Sequence, residues 1–112
     1  MNINATLPSV GQTWLSDFGP DTPLGHFSVE ITFDTESRVT FTVITGAIAG
    51  RTEAMDYTTT QVRDGLYVVR WTEPDSGDHV THIEDYTEGA CLASSVVGGQ
   101  FVQLAGTWTR VR

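Results

Sequence analysis

Lysine is missing from this chain: all six basic residues are arginines, namely Arg38, Arg51, Arg63, Arg70, Arg110 and Arg112. Without a lysine amine, no Schiff base with a carbonyl substrate can form. Cysteine is reduced to Cys91, which excludes an intrachain disulfide and reads as a small buried apolar residue. Positive charge is scarce, with fourteen acids against six bases and a formal net charge of -8. Such a surface repels phosphate backbones and anionic membranes, so neither nucleic acid nor membrane is expected as a partner. No apolar run approaches the ~20 residues of a transmembrane helix. Met1 to Gln12 lacks the basic-then-apolar order of a signal peptide, and the expected location is cytoplasmic.

Helical periodicity is nearly absent as well, and period-two alternation takes its place. Phe27, Val29, Ile31 and Phe33 alternate with polar residues, Asp34 to Ser37 turn the chain, and Val39, Phe41 and Val43 alternate again. This reads as a hairpin. Further strands are expected over Met55 to Val62, Leu66 to Thr72, His79 to Tyr86, Cys91 to Val97 and Phe101 to Leu104, with a closing stretch over Gly106 to Val111. Asp64-Gly65, Pro74 to Asp78, Glu88-Gly89 and Gly98-Gly99 supply the turns between them. Pro8, Gly19-Pro20 and Pro23 mark an irregular N-terminal region that is expected over one mouth of the structure.

A chain of 112 residues with 39% apolar and 18% charged content forms one globular domain, residues 1–112. Seven or eight short strands in a meander predict an all-β, single antiparallel up-and-down β-barrel of about eight strands. Closing the sheet removes the exposed edges that Thr- and Val-rich strands would otherwise present. Eight strands leave room for side chains or for one small ligand.

Parity along the strands sorts side chains by face. Tyr67, Val69, Trp71 and Glu73 share the aromatic face, the better candidate for the interior. Val80, His82 and Glu84 share a face on the next strand, and pattern alone does not say whether it points inward. His79 and His82 form an H-x-x-H, but residues three apart on a strand point to opposite faces, so no metal site is expected. A serine hydrolase is disfavoured because no G-x-S-x-G elbow occurs.

The segments Ile44-Thr45-Gly46-Ala47-Ile48-Ala49-Gly50-Arg51 and Asp64-Gly65-Leu66-Tyr67-Val68-Val69-Arg70-Trp71-Thr72-Glu73-Pro74 resemble bacterial phenolic acid decarboxylase. That family carries a Gly-x-x-x-Gly-Arg and a Val-Tyr-x-Val-x-Trp-Thr-Glu-Pro at nearly the same separation. The Trp-x-Glu-Pro strand and the closing Gly106-Thr107-Trp108-Thr109-Arg110-Val111 also resemble the MoaF-like group. Both resemblances imply a lipocalin-like barrel and, by analogy, a homodimer. They place the decarboxylase's catalytic arginine on Arg51 and its glutamate on Glu73, with apolar pocket positions at Ile48 and Val80 and a further one at Ser95. If Val80 faces inward, His82 and Glu84 follow it. The decarboxylase's pair of first-strand tyrosines has no counterpart: with Val10 to Trp14 as the start of that strand, Ser16 and Phe18 hold their places. In lipocalin-like barrels a first-strand tryptophan often stacks on a last-strand arginine, so the resemblance implies that Trp14 with Arg110 or Arg112 closes the barrel.

Two readings of the interior charges follow. Arg51 and Glu73 either pair to close the barrel end, or Arg51 orients an anionic group while Glu73, beside Trp71, acts as general acid or base. His82 is the second acid/base candidate, and Glu84 is expected near the solvent-exposed rim. Tyr67, Trp71, Ile48, Val80, Ser95 and Glu84 complete the candidate ligand contacts. The leading expectation is a cofactor-free enzyme doing decarboxylation, isomerisation or cyclisation on an aromatic or enolisable small acid. The alternatives are a non-catalytic MoaF-like ligand-binding protein and a barrel filled by its own side chains.

Overall fold

The computed structural model describes Met1–Arg112. It contains nine strands and no helix: β1 (Asn2–Ile3), β2 (Thr13–Asp17), β3 (Ser28–Phe33), β4 (Arg38–Thr45), β5 (Thr52–Arg63), β6 (Leu66–Thr72), β7 (His79–Asp85), β8 (Ala90–Val97) and β9 (Gln100–Arg110). No helix is long and apolar enough to cross a membrane. From β2 to β9 each strand pairs antiparallel with the next, and β9 returns to pair with β2, closing an eight-stranded up-and-down barrel.

Closure at the β2–β9 seam depends on one glycine. Ser16 pairs with Trp108 and Asp17 with Thr107, and a Cβ on Gly106 would collide with the Asp17 carbonyl. Only a residue without a side chain lets the two backbones approach so closely. This also explains why β9 runs unbroken from Gln100 to Arg110, where alternation suggested a break at Gly106. Strand β5 outruns β4 at its far end, and there β1 takes over the pairing, Asn2 opposite Gln61 and Ile3 opposite Thr60.

The two ends of the barrel differ. At one end, Trp14, Phe33, Tyr57, Tyr86 and Trp108 pack edge-to-face or stacked, with centroid separations from 4.9 to 6.2 Å. Leu7 and Ser9 are buried beneath them and seal this floor. Burial of each large apolar side chain here contributes ~1.5–3 kcal/mol, so the aromatic end anchors the fold. The expected Trp14–arginine stack is not formed. Trp14 lies parallel to Trp108 at 5.3 Å, while Arg112 reaches outward to Glu30 at 3.0 Å. Two aromatic faces exclude water from the floor better than a solvated guanidinium does.

The other end is the mouth. Residues 18–27 fold over it, held by stacked Phe18 and Phe27 rings at 5.7 Å and by the Phe18 amide donating to the Phe27 carbonyl at 2.9 Å. The Ala47 amide donates to the Leu24 carbonyl at 3.1 Å, joining this loop to the β4–β5 turn. Gly46 is needed there: its φ is +107°, and a Cβ would sit 3.1 Å from the Phe27 ring. The N-terminal region therefore covers both ends, Leu7 to Ser9 the floor and residues 18–27 the mouth.

Candidate active site

Between the aromatic floor and the mouth lies a cavity of about 300 Å³. That is the lower end of the roughly 300–1,000 Å³ typical of ligand pockets, so it suits one compact molecule. Its walls are largely apolar, from Phe18, Phe27, Ile31, Phe41, Val102 and Leu104 among others. Apart from Ser95 on the wall, polar groups enter at two places. Arg51, Glu73 and Asp78 stand at the mouth, and Ser16 and His82 at the inner end.

At the mouth, Arg51 Nη2 donates to Glu53 Oε2 at 2.6 Å and to Glu73 Oε1 at 3.1 Å. Glu53 is further fixed by the Asp75 amide, which donates to its Oε1 at 2.9 Å. The bond to Glu53, with the nearby Glu73 and Asp75 charges, pushes the Arg51 pKa up against the opposing effect of burial. Arg51 also rests over the Phe41 ring at 5.8 Å. Glu73 is held differently. Burial raises its pKa and the Glu53 and Asp78 carboxylates add to the rise, while the Arg51 guanidinium acts against it. A carboxyl group whose pKa is lifted toward neutrality is suited to give and take protons. The Trp71 indole N–H is buried in the cavity wall without a hydrogen-bond partner.

At the inner end a chain of hydrogen bonds runs from the cavity into the floor. Ser16 Oγ lies 2.9 Å from His82 Nε2, and His82 Nδ1 lies 2.7 Å from Glu84 Oε2. The Tyr86 hydroxyl donates to Glu84 Oε1 at 2.7 Å, and Ser9 Oγ lies 2.7 Å from that hydroxyl. His82 is 2% exposed and Glu84 0%. Burial by itself would lower the His82 pKa, but the contacts with Cys91 and Glu84 outweigh it and raise it to about 9. Cys91 Sγ also donates to the Thr107 carbonyl at 3.4 Å, and Glu84 is the carboxylate in direct contact with the ring. The ring is clamped between Trp71 at 5.9 Å and Trp108 at 5.1 Å.

Of the residues singled out from sequence, Arg51, Glu73, His82, Ile48, Trp71, Val80 and Ser95 line this one cavity. Tyr67 and Glu84 do not. Tyr67 faces inward but lies at the floor, edge-on to Tyr86 at 5.6 Å. Glu84 is not at a solvated rim: the inward face of β7 carries it down to the floor, where His82 and Tyr86 take up its oxygens. His79 is exposed and accepts or donates at Thr72, 2.9 Å away, apart from the inward His82. No group of three or more His, Cys, Asp and Glu side chains is placed to hold a metal.

Two residues were not reached by sequence reasoning. Glu53 shares the inward face with Met55 and Tyr57, visible once β5 is started at Thr52 rather than Met55. Ser16 stood out only as the replacement of a tyrosine, because its partner His82 is distant in sequence.

The family model described as MoaF-like matches residues 19–109. The chain belongs to the MoaF-like family. The matched span takes in Arg51, Glu73 and His82, whereas Ser16 lies ahead of it. Among solved structures, this MoaF-like barrel is similar to a crystal structure titled a putative beta-lactamase from Burkholderia vietnamiensis. The TM-score is 0.83 at 22% identity, over 96% of this chain and 99% of that one. At that identity the likeness establishes the fold. A comparison with curated proteins gave no match. A MoaF-like barrel with an open apolar cavity is consistent with small-molecule binding.

Proposed function

We propose that this MoaF-like barrel takes one compact, largely apolar molecule and carries out proton transfer on it without a cofactor. The molecule bears an aromatic ring or an enolisable carbonyl, and isomerisation, cyclisation or decarboxylation are the reactions of this type. The observation that carries the reading is the placement of two protonatable sites, Glu73 and the Ser16–His82 pair, on the wall of a single apolar cavity. A low-dielectric wall strengthens both, and a raised carboxyl pKa suits Glu73 to act as acid or base.

Arg51 favours the second reading, a non-catalytic binding protein. Its guanidinium is already held by two carboxylates, so it offers no unpaired charge to a substrate carboxylate. Within the first reading, this and the absence of the first-strand tyrosines move the weight from decarboxylation toward isomerisation or cyclisation. The activity named in the neighbour's title has no lysine here from which to build a Ser-x-x-Lys site.

Incubation with hydroxycinnamic acids and a panel of enolisable aromatic ketones, followed by product analysis, tests the proposal. Turnover that falls in Glu73→Gln and in His82→Gln supports it. Saturable binding with no conversion anywhere on the panel establishes the second reading, and absence of binding overturns both.

A further inference from the structure

The buried chain of hydrogen bonds has a direction, and its direction defines a subsite. A carboxylate only accepts, so Tyr86 O–H and His82 Nδ1–H both donate to Glu84. With its hydrogen committed to Glu84, Tyr86 must accept from Ser9. Glu84 is fully buried and no arginine reaches it; its one basic neighbour is the His82 imidazole. A buried carboxylate is strongly disfavoured unless an opposite charge compensates it, and only a proton on His82 supplies that charge. With both ring nitrogens protonated, Nε2–H donates to Ser16 Oγ. The Ser16 hydroxyl hydrogen is then left without a partner in the protein, on a fully buried residue that borders the inner end of the cavity.

From this geometry we propose that Ser16 and His82 form an oxygen-acceptor subsite at the inner end of the cavity. The Ser16 hydroxyl, kept turned toward the ligand by the His82–Glu84 pair, donates to a carbonyl, enolate or phenolate oxygen. The inference rests on the small-molecule reading above and deepens it by giving the ligand class and its orientation: the oxygen goes in first, and the apolar body fills the space toward the mouth. Ser16 is a ligand contact, and Glu84 is a positioning residue that acts through His82. A hydroxyl polarised by a cation behind it is a stronger donor than a free serine, and it strengthens further as negative charge develops on the ligand oxygen. The subsite therefore suits enolisation, where a carbonyl oxygen gains charge while a base elsewhere in the cavity removes a proton.

A matched pair of probes tests this. Acetophenone and α-methylstyrene have nearly the same shape, and differ in that the ketone oxygen is replaced by a methylene. Their dissociation constants are measured by calorimetry in the full-length protein, and the carbonyl stretch of carbon-13 acetophenone by infrared difference spectroscopy. The expected result is a preference of about tenfold for the ketone, as one charge-assisted hydrogen bond implies, and a carbonyl stretch moved to lower frequency. Ser16→Ala is expected to lose both signals while still binding α-methylstyrene, which shows that its cavity is intact. Ser16→Thr is expected to retain them, and Glu84→Gln to lose them because His82 then gives up its second proton and its bare Nε2 accepts the hydrogen bond of the Ser16 hydroxyl. Equal binding of the two probes with no spectral shift overturns the subsite and leaves the small-molecule reading standing. An unchanged preference in Ser16→Ala or Glu84→Gln likewise overturns it. If neither probe binds, the cavity reading falls together with the subsite.

Discussion

Arg51 makes its shorter bond to Glu53, at 2.6 Å, and its longer one to Glu73, at 3.1 Å. The two carboxylates at the mouth thus have different work. Glu53 is almost fully buried, accepts from the Asp75 amide and holds the guanidinium in place. Glu73 sits beside the cavity with its ionisation opposed by burial. Glu53→Gln is expected to lower the unfolding free energy by about 1–2 kcal/mol, since it leaves a partly buried charge with one weaker partner. Glu73→Gln is expected to stay within about 0.5 kcal/mol of the parent, because losing the Arg51 contact is offset by removing a disfavoured charge. Urea titration of both variants at neutral pH checks the asymmetry.

The His82–Glu84 pair makes stability depend on pH. The His82 pKa is raised from 6.5 to about 9 in the folded protein, so folding favours the protonated ring. That contribution is fully present below pH 6.5 and is lost as pH rises through about 9. The unfolding free energy is expected to fall by on the order of 3 kcal/mol across this window. The groups around the ring are Glu84 on its own strand, Cys91 on β8, and Tyr57 and Tyr86 beside Glu84. Burial pushes Tyr57 up to about 12 and Tyr86 further, so neither tyrosine titrates in the window. Denaturation curves at several pH values should show the decline in the parent and a flatter profile in His82→Gln.

Gly106→Ala tests the seam. The added methyl meets the Asp17 carbonyl and the start of Phe18, and neither backbone can move without opening the β2–β9 pairing. A loss of about 3 kcal/mol or more is expected, at the upper end of overpacking costs. The melting temperature should drop accordingly.

Ala93→Leu tests the cavity without touching a polar group. Ala93 pairs with His82 on one side and Leu104 on the other and lines the cavity wall. A larger apolar side chain fills empty space there, so stability should change by less than about 1 kcal/mol. Acetophenone binding should weaken at least ~10-fold, read by calorimetry.

The strands and their inward faces were legible because alternation is a local signal: Val39, Phe41 and Val43, or Tyr67, Val69 and Trp71, declare their side of the sheet within a few residues. The resemblance implied that Arg51 and Glu73 project into the barrel, and parity put Glu73 on one face with Tyr67, Val69 and Trp71. The register around the barrel is not local, and this is where sequence reasoning stopped. Ser16 meets His82 only because β2 closes on β9 and the interior is narrow enough for opposite walls to touch. Glu84 looked like a rim residue because a carboxylate is seldom fully buried; its burial depends on Tyr86 and His82, and no pattern in the chain announces that partnership. Trp14 has an arginine as its expected partner only by analogy with lipocalin-like barrels; the parallel indole that takes that place, Trp108, lies on the same last strand as Arg110.

The seam described above also sets an order of assembly. Every pairing from β2 to β9 except one joins neighbours along the chain, and such hairpins form early because their loops are short. The exception joins β2 to β9, bringing segments from opposite ends of the chain into register, and its large loop-closure entropy makes it the step expected to be slow. Ser16 is carried by β2, so the contact with His82 is completed only when that last strand docks. A population caught before this step has nearly all its hairpins and no inner subsite. Recovery of ketone recognition during refolding should therefore lag behind recovery of β-structure, and ligand binding reports the finished barrel rather than the sheet.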